Sequence, residues 1–281
     1  MRTSQASATS RVALIAGAGR FPFHVAREGK RQGYQVVALG IRGWADPTLA
    51  AAVDAYEEVA VGELERLIER LKAHEVRHAI MAGKVTKDVL LRDRDTFDPT
   101  AQALIEQAGD ASANRLLGDI ATLLAGAGIT LLDSSTFLRE QLCPAGSVTR
   151  RAPTTEETTD IEIGFRAARV LARLDIGQTV IVKRRVVVAV EGLEGTDAAI
   201  QRAHALAGAG LVVVKAASPS QDRRFDLPVI GLETLAVLAS SGVTCLAVEA
   251  HSTLLLDRDA LLANANASGL CLIGVEPHAG L

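Results

Sequence analysis

Short apolar runs alternate with amphipathic stretches through the first half of the chain. VALIAG (12–17) is continuously apolar and predicts a buried strand. Pro22 suits the first turn of a following helix, which runs to about Gly33. QVVALGI (35–41) predicts the second strand. Over 62–73, Leu64, Leu67, Ile68 and Leu71 recur at helical spacing. HAIMAG (78–83) predicts the third strand, a mainly helical stretch follows to Gly128, and ITLLD (129–133) predicts a fourth. Strands separated by helices imply a parallel sheet with crossover helices. The expected first domain is Rossmann-like and spans 11–143, behind a disordered tail over 1–10.

Residues 144–158, PAGSVTRRAPTTEET, are rich in Pro, Ser, Thr and Gly and read as an interdomain linker containing Arg150 and Arg151. The second half predicts a helix near 156–174. Two strands follow over 178–191, around a tight turn at Lys183-Arg184-Arg185. A helix begins near Thr196, and LVVVKA (211–216) predicts another buried strand. PVIG (228–231), a helix over 232–241, TCLAVEA (244–250), STLLLD (252–257), a helix over 258–268 and LCLIGV (270–275) complete the pattern. A hairpin joined to parallel elements makes 159–281 a mixed α/β domain. The fold class is therefore α/β in two domains.

Composition narrows the function. The 281 residues are 48% hydrophobic and 22% charged, so the chain is globular. A net charge of −3 and a pI near 6.1 argue against nucleic acid as a partner, which calls for a basic face. Cys143, Cys245 and Cys271 stand far apart without a CxxC pair, which fits a reducing cytoplasm. No apolar run reaches the roughly 18–20 residues of a membrane span.

Five stretches carry candidate chemistry. Gly17-Ala18-Gly19 joins a strand to a helix, where backbone N–H groups and the helix dipole hold phosphate. A purely structural tight turn is the alternative. The third fingerprint position is Pro22 and no carboxylate ends the second strand, which opposes a nicotinamide cofactor. Arg42 serves either a 2′-phosphate or a surface salt bridge. Gly83-Lys84-Val85-Thr86-Lys87 follows the third strand and belongs to the same sheet edge. His74-Glu75-Val76-Arg77-His78 spells HExxH, but a helix ending near Ala73 and a strand opening at His78 would separate the histidines by about 12 Å. Glu191, Glu194 and Asp197 leave a strand and enter a helix, either as oxygen ligands for a hard cation or with Thr196 or Asp197 as a helix cap. Lys215 opens a polar loop containing Gln221, Asp222, Arg223, Arg224 and Asp226, either suited to phosphate charge and to a water or Mg²⁺ or simply a solvated loop.

LIAGAGRFPFHVAREGKRQGY, IRGWADP, MAGKV, TRRAPT, DIGQTVIV, VEGLEGTDAAI, KAASPSQDRRFDLPVIG and LDRDALL occur in order from Leu14 to about Val275. In this the chain resembles the LpxI-type UDP-2,3-diacylglucosamine pyrophosphatases. The resemblance implies a two-domain hydrolase of lipid A biosynthesis that uses Mg²⁺ and water to cleave a pyrophosphate, yielding UMP and 2,3-diacylglucosamine 1-phosphate. It implies Asp226, Lys215 and Asp222 as catalytic groups, with Asp226 and Glu194 on the metal. Gly17, Ala18, Gly19, Arg20, Gly83, Lys84, Arg150, Gln178, Thr196, Asp197 and Gln221 fall to substrate binding. The expected arrangement puts the nucleotide at the first domain's strand ends and the acyl chains in an apolar groove of the second. A homodimer, cytoplasmic residence and transient contact with the inner membrane are implied as well. A non-catalytic nucleotide-sugar sensor on the same fold is the alternative.

Overall fold

The computed structural model describes residues 10–85, 96–108, 113–174, 176–217, 222–225 and 227–276. Two compact units emerge. One holds residues up to Leu138 together with Asp222–Asp226; the other holds Arg139–Gln221 and Leu227–Leu281.

The first unit is built on five strands in the order β3-β2-β1-β4-β5. They are β1 (Arg11–Ala16), β2 (Gln35–Ile41), β3 (Ala55–Val59), β4 (His78–Ala82) and β5 (Thr130–Leu131). Every pairing is parallel. β1 and β2 are buried at nearly every position, as a parallel sheet covered on both faces requires. The helices are α1 (Phe21–Arg31), α2 (Leu64–Ala73), α3 (Pro99–Ala108) and α4 (Ala113–Gly126). Leu64, Leu67 and Leu71 form the buried stripe of α2. β3 went unpredicted because Glu57 and Glu58 interrupt its apolar pattern. It is an edge strand, and Glu57 is bonded by Arg70 and His74.

The second unit carries a mixed sheet in the order β6-β13-β11-β9-β7-β8. Its strands are β6 (Gly146–Ser147), β7 (Thr179–Lys183), β8 (Val186–Val190), β9 (Leu211–Lys215), β11 (Val243–Glu249) and β13 (Cys271–Val275). β9, β11 and β13 are parallel, whereas β6, β7 and β8 pair antiparallel. β10 (Val229–Ile230) and β12 (Leu254–Leu255) form a separate parallel pair. The helices are α5 (Thr155–Arg173), α6 (Thr196–Ala207), α7 (Leu232–Ser240) and α8 (Arg258–Ala267). The expected hairpin is present. Arg184 and Arg185 both take positive φ, 49° and 67°, and Asp160 on α5 accepts both of their backbone N–H bonds. That external carboxylate holds a turn that usually takes Asn-Gly.

Residues 144–158, read from composition as a linker, are built into the second unit. β6 pairs with β13, and Thr149 Oγ1 accepts from Leu272 N–H at 2.8 Å. Thr154 and Glu157 form a capping box at the start of α5. Arg151 donates to Glu157 through both terminal nitrogens, at 2.8 and 2.9 Å, and to the carbonyls of Gly269 and Thr244. Polar composition here reflects side chains satisfying backbone groups, not solvent.

Burial pushes the Glu157 carboxyl up, but Arg151, the Thr154 N–H and Thr244 outweigh it and bring it down to about 2. The folded value is depressed, so this contribution is complete above about pH 4.5 and is lost as pH falls through about 2. Arg151→Ala should cost about 2–4 kcal/mol at pH 7. It should also move the acid-unfolding limb to higher pH, which thermal melts from pH 2 to 7 would measure.

Candidate active site

In the first unit, strand order reverses between β1 and β4, and in open parallel sheets the crevice outside their carboxyl ends receives ligands. Here the two strand ends clasp each other. Gly17 N–H donates to Ala82 O at 2.8 Å; Ala18 and Lys84 exchange both backbone bonds at 2.9 Å. A Cβ on Gly17 would lie 2.8 Å from Lys84 O, and one on Gly83 would lie 2.6 Å from the carbonyl carbon of Gly17. These two glycines therefore permit backbone contact between strand ends. Positive φ falls on Gly19 (91°) and Gly83 (97°) and not on Ala18, so alanine at 18 is unstrained.

The Gly17 and Ala18 N–H groups are used within the protein and do not face a phosphate. Gly19, Arg20 and Phe21 retain N–H groups without a bond among the described residues, and space beside Gly19 is open. Arg20 lies exposed, with its guanidinium 4.7 Å over the Phe23 ring, and Lys84 is exposed. Arg42 forms an ion pair with Glu58 at 3.8 Å. Thr86 and Lys87 lie outside the described residues.

Asp222, Arg223, Arg224 and Phe225 belong to this first unit. Arg223 Nε donates to Asp133 Oδ2 at 2.9 Å, and Ser134 N–H donates to Arg223 O at 2.9 Å. Asp133 follows β5, so the far-distant loop is fastened at the end of that strand. Phe225 packs on the first unit's apolar core. Asp222 is bonded by Arg224, which holds its carboxyl below the usual aspartate range despite partial burial. In the turn it is the partner of Arg224. Asp226 and Gln221 lie outside the described residues.

In the second unit a buried polar chain runs across the ends of β7, β8 and β9. Lys215, the last residue of β9, is 7% exposed. Its Nζ donates to Thr196 Oγ1 at 2.8 Å, and Thr196 Oγ1 donates to Glu191 Oε1 at 2.8 Å. Thr179 Oγ1 lies 3.3 Å from Thr196 Oγ1 and 3.4 Å from Lys215 Nζ. Burial pushes the Glu191 carboxyl up, but the Lys215 charge, both hydroxyls and the Gln178 N–H outweigh it and hold it below the usual range. Fixed donors and charges at a largely buried strand-end site are the kind of arrangement that stabilises developing negative charge on a phosphate.

The expected carboxylate trio does not converge. Glu191 faces Lys215 through Thr196, Glu194 pairs with Arg202 at 2.5 Å, and Asp197 is exposed in the first turn of α6. The cap of α6 is Gly195, with φ 83°, instead of Thr196 or Asp197. Thr196 is thereby released to bind Lys215. Gln178 contributes backbone, its N–H toward Glu191 at 3.4 Å and its carbonyl to Ala216 N–H at 3.0 Å. Arg150 is exposed and donates its N–H to Asn266 Oδ1. His74 ends α2 and bonds Glu57 at 2.7 Å, while His78 opens β4; the HExxH run is not one helix. Among the described residues no three His, Cys, Asp or Glu side chains gather to hold a metal.

Sequence reasoning put Thr196 and Lys215 in the site but passed over Glu191 as the lysine's counter-charge and Thr179 as its neighbour. The available signal was a carboxylate closing the apolar run VVVAV immediately before a glycine.

Models of the LpxI N-terminal domain and the LpxI C-terminal domain match residues 11–141 and 144–273. The chain belongs to the LpxI family. A relative from Caulobacter vibrioides, named UDP-2,3-diacylglucosamine pyrophosphatase LpxI, is 30% identical over 95% of this chain and 98% of its own. The LpxI match accounts for both folded units, and the two-domain α/β expectation holds. Among solved structures, the biotin carboxylase subunit of pyruvate carboxylase overlays at a TM-score of 0.26 with 13% identity, covering 66% of this chain and 38% of that one. A score that low carries no argument.

Proposed function

We propose that this LpxI-family protein hydrolyses the pyrophosphate of UDP-2,3-diacylglucosamine in lipid A biosynthesis. The observation that carries this reading is the buried Lys215–Thr196–Glu191 chain at the strand ends, in a protein whose full-length relative bears that activity as its name. Water adds to the phosphorus on the sugar side and the bridging P–O bond breaks. UMP leaves, the oxygen of water stays on 2,3-diacylglucosamine 1-phosphate, and one proton is released. Lys215, fixed by Thr196, supplies positive charge to the phosphate oxygens. Asp226 is proposed to orient the water.

Mg²⁺ is part of the proposal. The described residues make no cage for it, since Glu191, Glu194 and Asp222 each face a cationic side chain. Mg²⁺ ordinarily takes one or two carboxylates plus substrate phosphates, which leaves Asp226 as the proposed protein ligand. When bound, the ion would neutralise pyrophosphate charge. The reading extends to a cytoplasmic homodimer that meets the inner membrane surface transiently, supported by exposed apolar side chains such as Val170, Leu174 and Leu206. No helix among the described residues is long and apolar enough to cross a membrane.

The test is UMP release from UDP-2,3-diacylglucosamine, with Mg²⁺ and with EDTA, for wild type and Asp226→Ala. Release that stops with EDTA and falls at least 1000-fold in the variant is expected, about 4 kcal/mol of barrier. Wild-type protein that binds the substrate without releasing UMP would sink the hydrolase and favour the sensor.

A further inference from the structure

Glu249 belongs to no candidate motif of the sequence, where it closes the largely apolar run VTCLAVE. In the fold it is the last residue of β11 and is 9% exposed. β11 lies beside β9 with Val248 opposite Lys215, so Glu249 stands at the same carboxyl edge as the lysine. Its Oε2 accepts the Ala217 N–H at 3.1 Å. Arg169 on α5, 8% exposed, reaches the same oxygen at 3.8 Å and lies 5.7 Å over the Phe165 ring. A carboxylate buried this deeply is costly unless opposite charge and hydrogen bonds meet it, and here Arg169 supplies the first and Ala217 the second.

The bond to Ala217 falls where the chain leaves β9. Ala216, the residue after Lys215, donates its N–H to the Gln178 carbonyl at 3.0 Å, beside the start of β7. Ala217 donates to Glu249 on the opposite side. The two-residue exit is thus fixed toward both strands that flank β9, and the bond to a carboxylate is of the stronger kind. We propose that Glu249, held by Arg169, is a positioning residue that sets the aim of the Lys215 ammonium at the reacting phosphate. The proposal rests on the hydrolase reading for what the lysine acts on. Lys215 Nζ reaches Thr196 at 2.8 Å from a backbone whose next two N–H groups are both taken. With Ala217 released, the exit pivots on Ala216 alone. A displacement of about 1 Å at a group that stabilises the transition state costs about 100-fold in rate.

The test separates aim from stability. Glu249→Leu should lower kcat for UMP release about 100-fold and move KM less than about threefold. Glu249→Gln keeps an acceptor oxygen for Ala217 and should recover at least about tenfold of that loss. Leucine also strips Arg169 of its carboxylate, so Arg169→Met is combined with Glu249→Leu to remove the buried charge while the anchor stays absent. This double variant should melt close to wild type and remain about 100-fold slow. A double variant that both melts and hydrolyses like wild type would overturn the proposal, as would a glutamine variant no faster than leucine. Amide exchange followed by NMR is the arm that needs no turnover. The Ala217 N–H should exchange at least about tenfold faster in the double variant, with Val213 in the middle of β9 unchanged. If the wild type releases no UMP, the hydrolase reading fails and the exchange decides the anchor: faster at Ala217 alone upholds it, and no change there refutes it.

Discussion

Lys215→Met is expected to cut UMP release by at least 100-fold and to destabilise the second unit by about 3 kcal/mol at pH 7. Methionine fills the volume but removes the charge that holds Glu191 ionised. Thr196 Oγ1 loses its donor, and the Glu191 carboxylate, 9% exposed, is left with two hydroxyls and a long N–H contact. The pH dependence identifies the cause. In wild type the folded Glu191 value lies below the usual 4.5, so its stabilising contribution is present above about pH 4.5 and is lost as pH falls through the folded value. Without Lys215 the burial effect, the largest single influence, is opposed by hydrogen bonds alone, and the folded value should rise. The deficit of the variant should therefore be greatest near pH 7 and shrink on acidification toward pH 4. Glu191→Gln added to Lys215→Met should restore most of the stability and none of the activity. Denaturation at pH 4 and 7, paired with UMP release, reads both. A single variant as stable as wild type at pH 7 would refute the coupling.

Gly83→Ala should destabilise the first unit by about 3 kcal/mol or more. Two costs add. The left-handed φ of 97° strains any side chain, at about 1–2 kcal/mol. The new methyl would also sit 2.6 Å from the Gly17 carbonyl carbon and 2.8 Å from the oxygens of Gly17 and Ala18. These are backbone atoms of the opposing strand end, so relief requires parting β1 from β4 and breaking the Ala18–Lys84 pair of bonds. Gly19→Ala is the control. Its φ of 91° carries the same strain, but nothing lies within 4 Å of the added methyl. It should lose only the conformational part. Urea denaturation of the two variants separates contact from strain; equal losses would show that the backbone clasp contributes nothing.

Local chemistry made the Lys215 site partly legible. A lysine ending the wholly apolar LVVVK strand has few reasons to be there other than charge, and EGTD before a helix signals a strand-end turn. The partner of that lysine was harder to read. Glu191, Glu194 and Asp197 look equivalent along the chain, and only the packing of β8 beside β7 turns the first inward while Arg202 claims the second. Asp222 illustrates the same limit from the other side. It has the composition of a catalytic carboxylate and the environment of a turn held by Arg224.

By itself the sequence determined the alternation of strands and helices, the parallel core of the first half, the hairpin of the second and the break at His74–His78. Each depends on apolar spacing or turn chemistry within about a dozen residues, where period and burial go together. The edge strand β3, the incorporation of 144–158 and the fastening of Asp222–Phe225 to the first unit depended on tertiary structure. So did the use of glycine for backbone contact at positions 17 and 83. These features arise from partners tens of residues away. Register, the closest approach of two backbones and the pairing of a buried carboxylate with one cation among several exist only once the strands are side by side.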